Sequence, residues 1–178
     1  MRALFVTGFV TGLRLGEILA IRWDQVDFES GFITLRTGET KNGQGRSVPL
    51  LEGDMQRLLL DAKRERDAKW PRCSHVFSRF GQPIKDFRAS WRKACLAAGA
   101  PDLNFHDLRR TAVRNMRRAG IPQVVRMKIS GHKTDSMERR YNIVDDEDLT
   151  VAKAPLEKRM AVTKNVTTGQ KTDEKADT

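Results

Sequence analysis

Apolar residues crowd the first stretch of the chain, where Leu4, Phe5, Val6, Phe9 and Val10 surround a would-be helix over 2–11 on all sides. A helix without a polar face is a buried one. Thr11-Gly12 breaks it, and Leu15, Ile18 and Leu19 share one side of a second helix over 14–22. Glu29-Ser30-Gly31 reads as a turn and Phe32-Ile33-Thr34-Leu35 as a short strand. A second strand is expected around 39–41, a hairpin at Asn42-Gly43-Gln44-Gly45, and a third strand at Arg46-Ser47-Val48-Pro49. Pro49 cannot donate a ladder hydrogen bond, so that strand lies at an edge or ends there.

Helical periodicity then takes over. Met55, Leu58, Leu59 and Ala62 mark an amphipathic helix over 54–68, stopped by Trp70-Pro71. A loop with Phe77 and Phe80 and a turn at Gly81-Gln82-Pro83 lead to a helix over 85–98, closed by Gly99 and Pro101. Further helices are expected over 106–119 and 122–129, ended by Gly120 and Gly131. Thr134-Asp135-Ser136 can cap a short helix carrying Tyr141, and 145–160 reads as a last helix with an acidic start. From 162 onward, Thr, Lys, Asp and Gln dominate, the composition of a disordered polar tail. The fold class expected is α+β, mainly α-helical, with a small three-stranded antiparallel sheet at one edge.

Composition narrows the function. Of 178 residues, 33 are Lys or Arg against 23 Asp or Glu, a formal net charge of +10, which makes an anionic polymer the default partner. The apolar start follows Arg2 as a signal peptide would, but Arg14, Glu17 and Arg22 come where a cleavage site should. The run is also too short to span a bilayer. A cytoplasmic protein without a membrane partner is expected. Cys73 and Cys95, twenty-two residues apart, form no C-x-x-C, and none of the three histidines lies near a cysteine pair, so two reduced thiols are expected and no metal site. No phosphate-binding glycine loop is present, so neither a nucleotide nor another cofactor is expected.

The remaining polar residues have a pattern of their own. Thr11-Gly12-Leu13-Arg14-Leu15-Gly16-Glu17 places an arginine at a helix opening, with Glu17 as its support. In His106-Asp107-Leu108-Arg109-Arg110-Thr111, His106 and Arg109 are three apart and face one way. The single tyrosine, Tyr141, follows His132 by nine residues, and Lys41 sits at the hairpin. Two guanidinium forks can clamp a phosphodiester and offset the charge of its transition state. Beside them a phenol ionises more readily, with a histidine to take its proton and a lysine to protonate a departing oxygen. A covalent phosphotyrosine link would conserve the phosphodiester energy without metal or ATP.

The segments 11–17, 40–50, 106–110 and 131–141 resemble, in order and spacing, the signature boxes of the tyrosine recombinases, the phage-integrase family. The likeness covers essentially residues 1–150. It implies an integrase-like catalytic domain over 1–161, followed by the tail over 162–178. It also implies phosphate binding by Arg14 and Arg109, protonation of the 5′-hydroxyl leaving group by Lys41, and acid–base exchange by His106. His132 is implied to hydrogen-bond the phosphate, and Tyr141 to attack and form a 3′-phosphotyrosyl DNA intermediate. The partners implied are double-stranded DNA and three further copies of the chain, a tetramer with C-terminal helix exchange.

Two departures stand out. The chain is expected to lack the core-binding domain and the first catalytic-domain helix that the family carries before Arg14, and with them a basis for activity alone. Ser130 precedes Gly131-His132 where a leucine is common, a change expected to affect packing rather than catalysis. Two other functions fit less of the pattern: a truncated relic that binds DNA without turnover, and a type I topoisomerase of the tyrosine class.

Overall fold

In the computed structural model, helix α1 (Arg2–Thr11) belongs to the larger of two units, Met1–Asn142 and Ile143–Thr178; it buries Leu4, Thr7, Gly8 and Thr11 but leaves Phe5 exposed, so it is not the fully buried helix expected. The structure describes residues 2–38, 43, 45–132, 134, 149–150, 152–154 and 156–157. Lys41, Tyr141, the expected strand at 39–41 and the expected tail over 162–178 lie outside the described residues. The described residues within 145–160 are helical.

Helices α2 (Leu15–Ala20), α3 (Asp54–Lys69), α4 (Arg88–Ala97), α5 (Phe105–Arg118) and α6 (Gln123–Ser130) complete the helical part of the first unit. α1 packs on α3 and α5. Gly8 makes the second contact possible: a Cβ there would lie 2.8 Å from Phe105 Cζ. Leu4, Ile18, Ile33, Val48, Leu59 and Leu108 are among the buried apolar side chains of one core. Phe105 joins it to α4 through T-shaped contacts with Phe87 and Trp91, ring centroids 5.2 Å apart in each case.

The sheet is antiparallel, in the order β1 (Val26–Asp27), β2 (Phe32–Leu35), β3 (Arg46–Pro49). Ile33 pairs with Val26 on one side and Val48 on the other, and Ile33, Leu35 and Val48 turn inward. β3 is an edge strand, as Pro49 requires, and it lies against α6. Three strands were expected, but Val26–Asp27 is one of them: a two-residue strand is too short to show alternation in the sequence.

A second, two-stranded sheet, β4 (Ser78–Arg79) and β5 (Gln82–Pro83), replaces the expected loop and turn. Its central residues Phe80 and Gly81 have φ of 51° and 74°, the left-handed pair that a tight hairpin needs. Phenylalanine carries no signal for that conformation; here its ring packs edge-on against Trp70, with centroids 6.4 Å apart. Helix boundaries move by a few residues. α4 begins at Arg88 rather than 85, and α5 begins at Phe105 because Asn104 and Asp107 cap it reciprocally. Cys73 and Cys95 are buried free thiols. Among the described residues, no helix is long and apolar enough to cross a membrane.

Candidate active site

The last turn of α6 presents the carbonyls of Ile129, Ser130 and Gly131, which lie beyond the reach of intrahelical N–H groups. Such carbonyls form the negative end of a helix and attract cations. Three guanidinium groups from distant parts of the chain use them. Arg14, at the start of α2, donates from Nη2 to Gly131 O at 3.3 Å. Arg46, opening β3, donates from Nε to Ile129 O at 3.3 Å and from Nη2 to Ser130 O at 3.5 Å. Arg109, on the buried stripe of α5, donates from Nη1 to Gly12 O at 2.6 Å and also to Ser130 O.

One carboxylate balances two of these charges. Glu17 accepts from Arg14 Nη1 at 3.2 Å and from Arg46 Nη2 at 2.9 Å. It also accepts from the Arg14 backbone N–H at 3.0 Å, which caps α2. Burial disfavours its ionised form, but the Arg46 hydrogen bond, the Arg14 amide and the two positive charges outweigh that and hold its pKa below the ordinary value. Arg14 and Glu17 are therefore not an exposed helix pair: their side chains are 18% and 3% accessible.

Both histidines expected at the site have their pKa lowered. His132 is buried beside Arg109, whose Nε donates to His132 Nε2 at 3.1 Å. Desolvation first, then the charge of Arg109 and after it Arg14, pushes its pKa down to about 3. His106 lies at the exposed N-terminal end of α5. Its pKa is lowered by desolvation, then by Arg109 and Arg110, with Asp107 opposing. A neutral imidazole there can accept a proton.

The structure thus brings Arg14, Arg109, His106 and His132 into one electrostatically coupled group. Lys41 and Tyr141 fall outside the described residues. Arg46 was missed as a member. Its signal was available: residues two apart in a strand share a face, so Arg46 shares the inward face of Val48 in an edge strand. A charged residue on that face needs a buried partner. Among the described residues, no group of three His, Cys, Asp or Glu side chains is placed to hold a metal.

The profile described as the phage integrase family matches residues 1–148. The chain belongs to that family. Among its relatives in the phage integrase family, the shufflon-specific DNA recombinase of Escherichia coli is 33% identical over 140 residues, 78% of this chain and 33% of that protein. The integrase of Salmonella phage P22 is 28% identical over 149 residues, 79% of this chain and 38% of that protein. The chain therefore spans between a third and two fifths of these relatives' length. In fold it resembles the XerA recombinase crystal structure, with a TM-score of 0.71 at 22% identity, covering 83% of this chain and 53% of that one. It also resembles the XerH site-specific recombinase in a post-cleavage complex with a palindromic difH substrate, with a TM-score of 0.69 at 20% identity, covering 88% of this chain and 45% of that one.

Proposed function

We propose that this chain is the catalytic part of a site-specific DNA recombinase that cuts and rejoins strands through a 3′-phosphotyrosyl intermediate. The observation that carries the reading is the convergence of Arg14, Arg46 and Arg109 on one helix end with a single carboxylate among them. Among the described residues, three guanidiniums meet one carboxylate there, a surplus of positive charge suited to a phosphodiester.

In this reading Arg14, Arg109 and His132 hold the non-bridging oxygens of the scissile phosphate. The Tyr141 hydroxyl oxygen bonds to phosphorus as the bond from phosphorus to the 5′-oxygen breaks. The phenolic proton passes to His106, and the Lys41 ammonium protonates the leaving 5′-oxygen. The phosphotyrosyl ester keeps the energy of the bond it replaced, and attack by a 5′-hydroxyl reverses the steps. Structures of similar fold solved with DNA, such as the Tn1549 transposon integrase with transposon right end DNA, support DNA as the partner. A tetramer on DNA, exchanging C-terminal helices in the cytoplasm of a bacterial or phage-infected cell, completes the proposal.

A duplex nicked just beyond the cleavage point traps such an ester, because the released fragment diffuses away. The proposal expects a protein–DNA adduct that survives denaturation. Binding without any adduct identifies a DNA-binding relic instead, and relaxation of supercoiled plasmid without exchange between two sites identifies a topoisomerase.

A further inference from the structure

Arg46 stands at the mouth of the connection between β2 and β3. It is the first residue of β3, and its register partner is Leu35, the last of β2. The residues between them, 36–45, carry Lys41. The base of this connection is tightly drawn. A Cβ on Gly45 would lie 3.0 Å from Leu35 O and 3.1 Å from the Thr37 amide nitrogen, so the returning chain presses on the outgoing one. Further out, the Gly38 N–H donates to Gly43 O at 3.4 Å. Lys41 stands two residues before Gly43 in the sequence. An extended chain covers about 3.5 Å per residue, which tethers the Lys41 backbone within about 7 Å of Gly43.

The Arg46 side chain sets this base. Its Nη2 donates to Glu17 Oε2 at 2.9 Å and to Ser130 O at 3.5 Å, and its Nε to Ile129 O at 3.3 Å. The guanidinium lies flat against Gly131, where a Cβ would fall 2.7 Å from Cζ. Only 7% of the side chain is accessible and these bonds point into the protein, so Arg46 is not placed to grip a phosphate itself. A buried guanidinium bonded at several points is a rigid strut. It fixes the mouth of the Lys41 connection against the helix end that also receives Arg14 and Arg109.

We propose that Arg46 is a positioning residue for the leaving group: by pinning the β2–β3 connection to the end of α6, it sets where the Lys41 ammonium meets the departing 5′-oxygen. The inference rests on the recombinase reading and adds a division of labour within it. Arg14 and Arg109 act on the charge of the phosphate, whatever atom leaves. Arg46 acts through Lys41 and matters only when the leaving atom needs a proton.

A nicked duplex with sulfur in place of the bridging 5′-oxygen separates the two. On it the Tyr141 oxygen bonds to phosphorus, the phosphorus–sulfur bond breaks, and sulfur departs as a thiolate. With a thiol pKa of about 8.5, that group needs no proton from the protein. In single-turnover adduct formation, Arg46→Ala is expected to slow cleavage of the oxygen duplex by about 10- to 100-fold, part of the roughly 10²- to 10⁴-fold that a general acid supplies. On the sulfur duplex it should match the unaltered chain. Lys41→Ala should behave alike, and adding Arg46→Ala to it should cost nothing more on the oxygen duplex. Arg14→Ala should stay slow on both.

A defect of Arg46→Ala that persists on the sulfur duplex overturns the proposal, since a merely structural role is blind to the leaving atom. So does unimpaired cleavage of the oxygen duplex, or a further loss in the double variant. Gly45→Ala disturbs the same base without removing an Arg46 contact, and decides the matter if Arg46→Ala does not fold. A loss on the oxygen duplex that sulfur relieves supports the proposal; a loss on both, or on neither, overturns it. If the unaltered chain forms no adduct on either duplex, the recombinase reading itself fails and takes the proposal with it.

Discussion

Arg46 Nη2 lies 2.9 Å from Glu17 Oε2, with the two side chains only 7% and 3% accessible. The pair joins the edge strand β3 to the start of α2. Because Arg46 also reaches Ile129 O, it ties both to the end of α6. An ion pair this deep contributes less through its own attraction than through the cost of breaking it on one side.

Replacing Glu17 with Gln leaves Arg14 and Arg46 without their shared counter-charge. The expected loss of stability is about 3–5 kcal/mol, read as a shift of the urea midpoint at constant slope. A loss below about 1 kcal/mol, the scale of an exposed pair, contradicts the buried clasp.

Gly131 and Gly120 make a controlled comparison. Both have φ of 74°, and a Cβ at Gly120 meets nothing within 4 Å, whereas one at Gly131 falls 2.7 Å from Arg46 Cζ. Gly120→Ala should cost about 1–2 kcal/mol from the left-handed backbone alone. Gly131→Ala should cost more, since it also displaces the Arg46 guanidinium, and Arg46→Ala should reduce that excess. Equal costs at the two positions in urea unfolding would show that the Arg46 contact carries no weight.

Acid should weaken the fold before any carboxylate is protonated. The pKa of His132 is held at about 3 in the fold, against 6.5 in the free side chain. Between those values the unfolded chain binds the extra proton, so stability rises with pH. The contribution is complete above pH 6.5 and drains away as pH falls toward 3. The slope from this group is at most about 1.4 kcal/mol per pH unit. His106 adds in the same sense, its pKa being lowered too. Glu17 also stabilises from the alkaline side, but its part is lost only below its ordinary value of 4.5. Urea unfolding between pH 6.5 and 4.5 therefore isolates the histidines. The slope there should be positive and smaller in His132→Gln; a flat profile contradicts the neutral, buried imidazole.

Much of this site is legible in the sequence because helices announce themselves. Gly12 before Arg14 and Gly131 before His132 mark chain breaks, and the spacing of His106 and Arg109 puts them one turn apart on α5. Arg46 was harder to see, since a lone arginine beside a hairpin reads as surface until Val48 is known to point inward. The contacts of the Ser130 hydroxyl with Arg126 O and His132 Nδ1 were not legible, because partners across space leave no periodicity in the chain. The hairpin at Phe80 was hidden for a different reason: an aromatic residue took a backbone conformation usually left to glycine or asparagine, and tertiary contact with Trp70 compensates.

DNA affinity should be dominated by phosphate contacts. Raising salt from about 50 to 200 mM is expected to weaken binding more than tenfold, with log affinity falling linearly in log salt. Titrations by fluorescence anisotropy that show no salt dependence contradict the electrostatic account.

The central claim is that the arginine and histidine cluster serves the chain's single tyrosine. Protease digestion of the trapped adduct followed by mass spectrometry locates the bond directly. The expected product is nucleotide attached through its 3′-phosphate to the peptide bearing Tyr141, with no adduct in Tyr141→Phe. Nucleotide on any other side chain, or an adduct that persists in Tyr141→Phe, contradicts it.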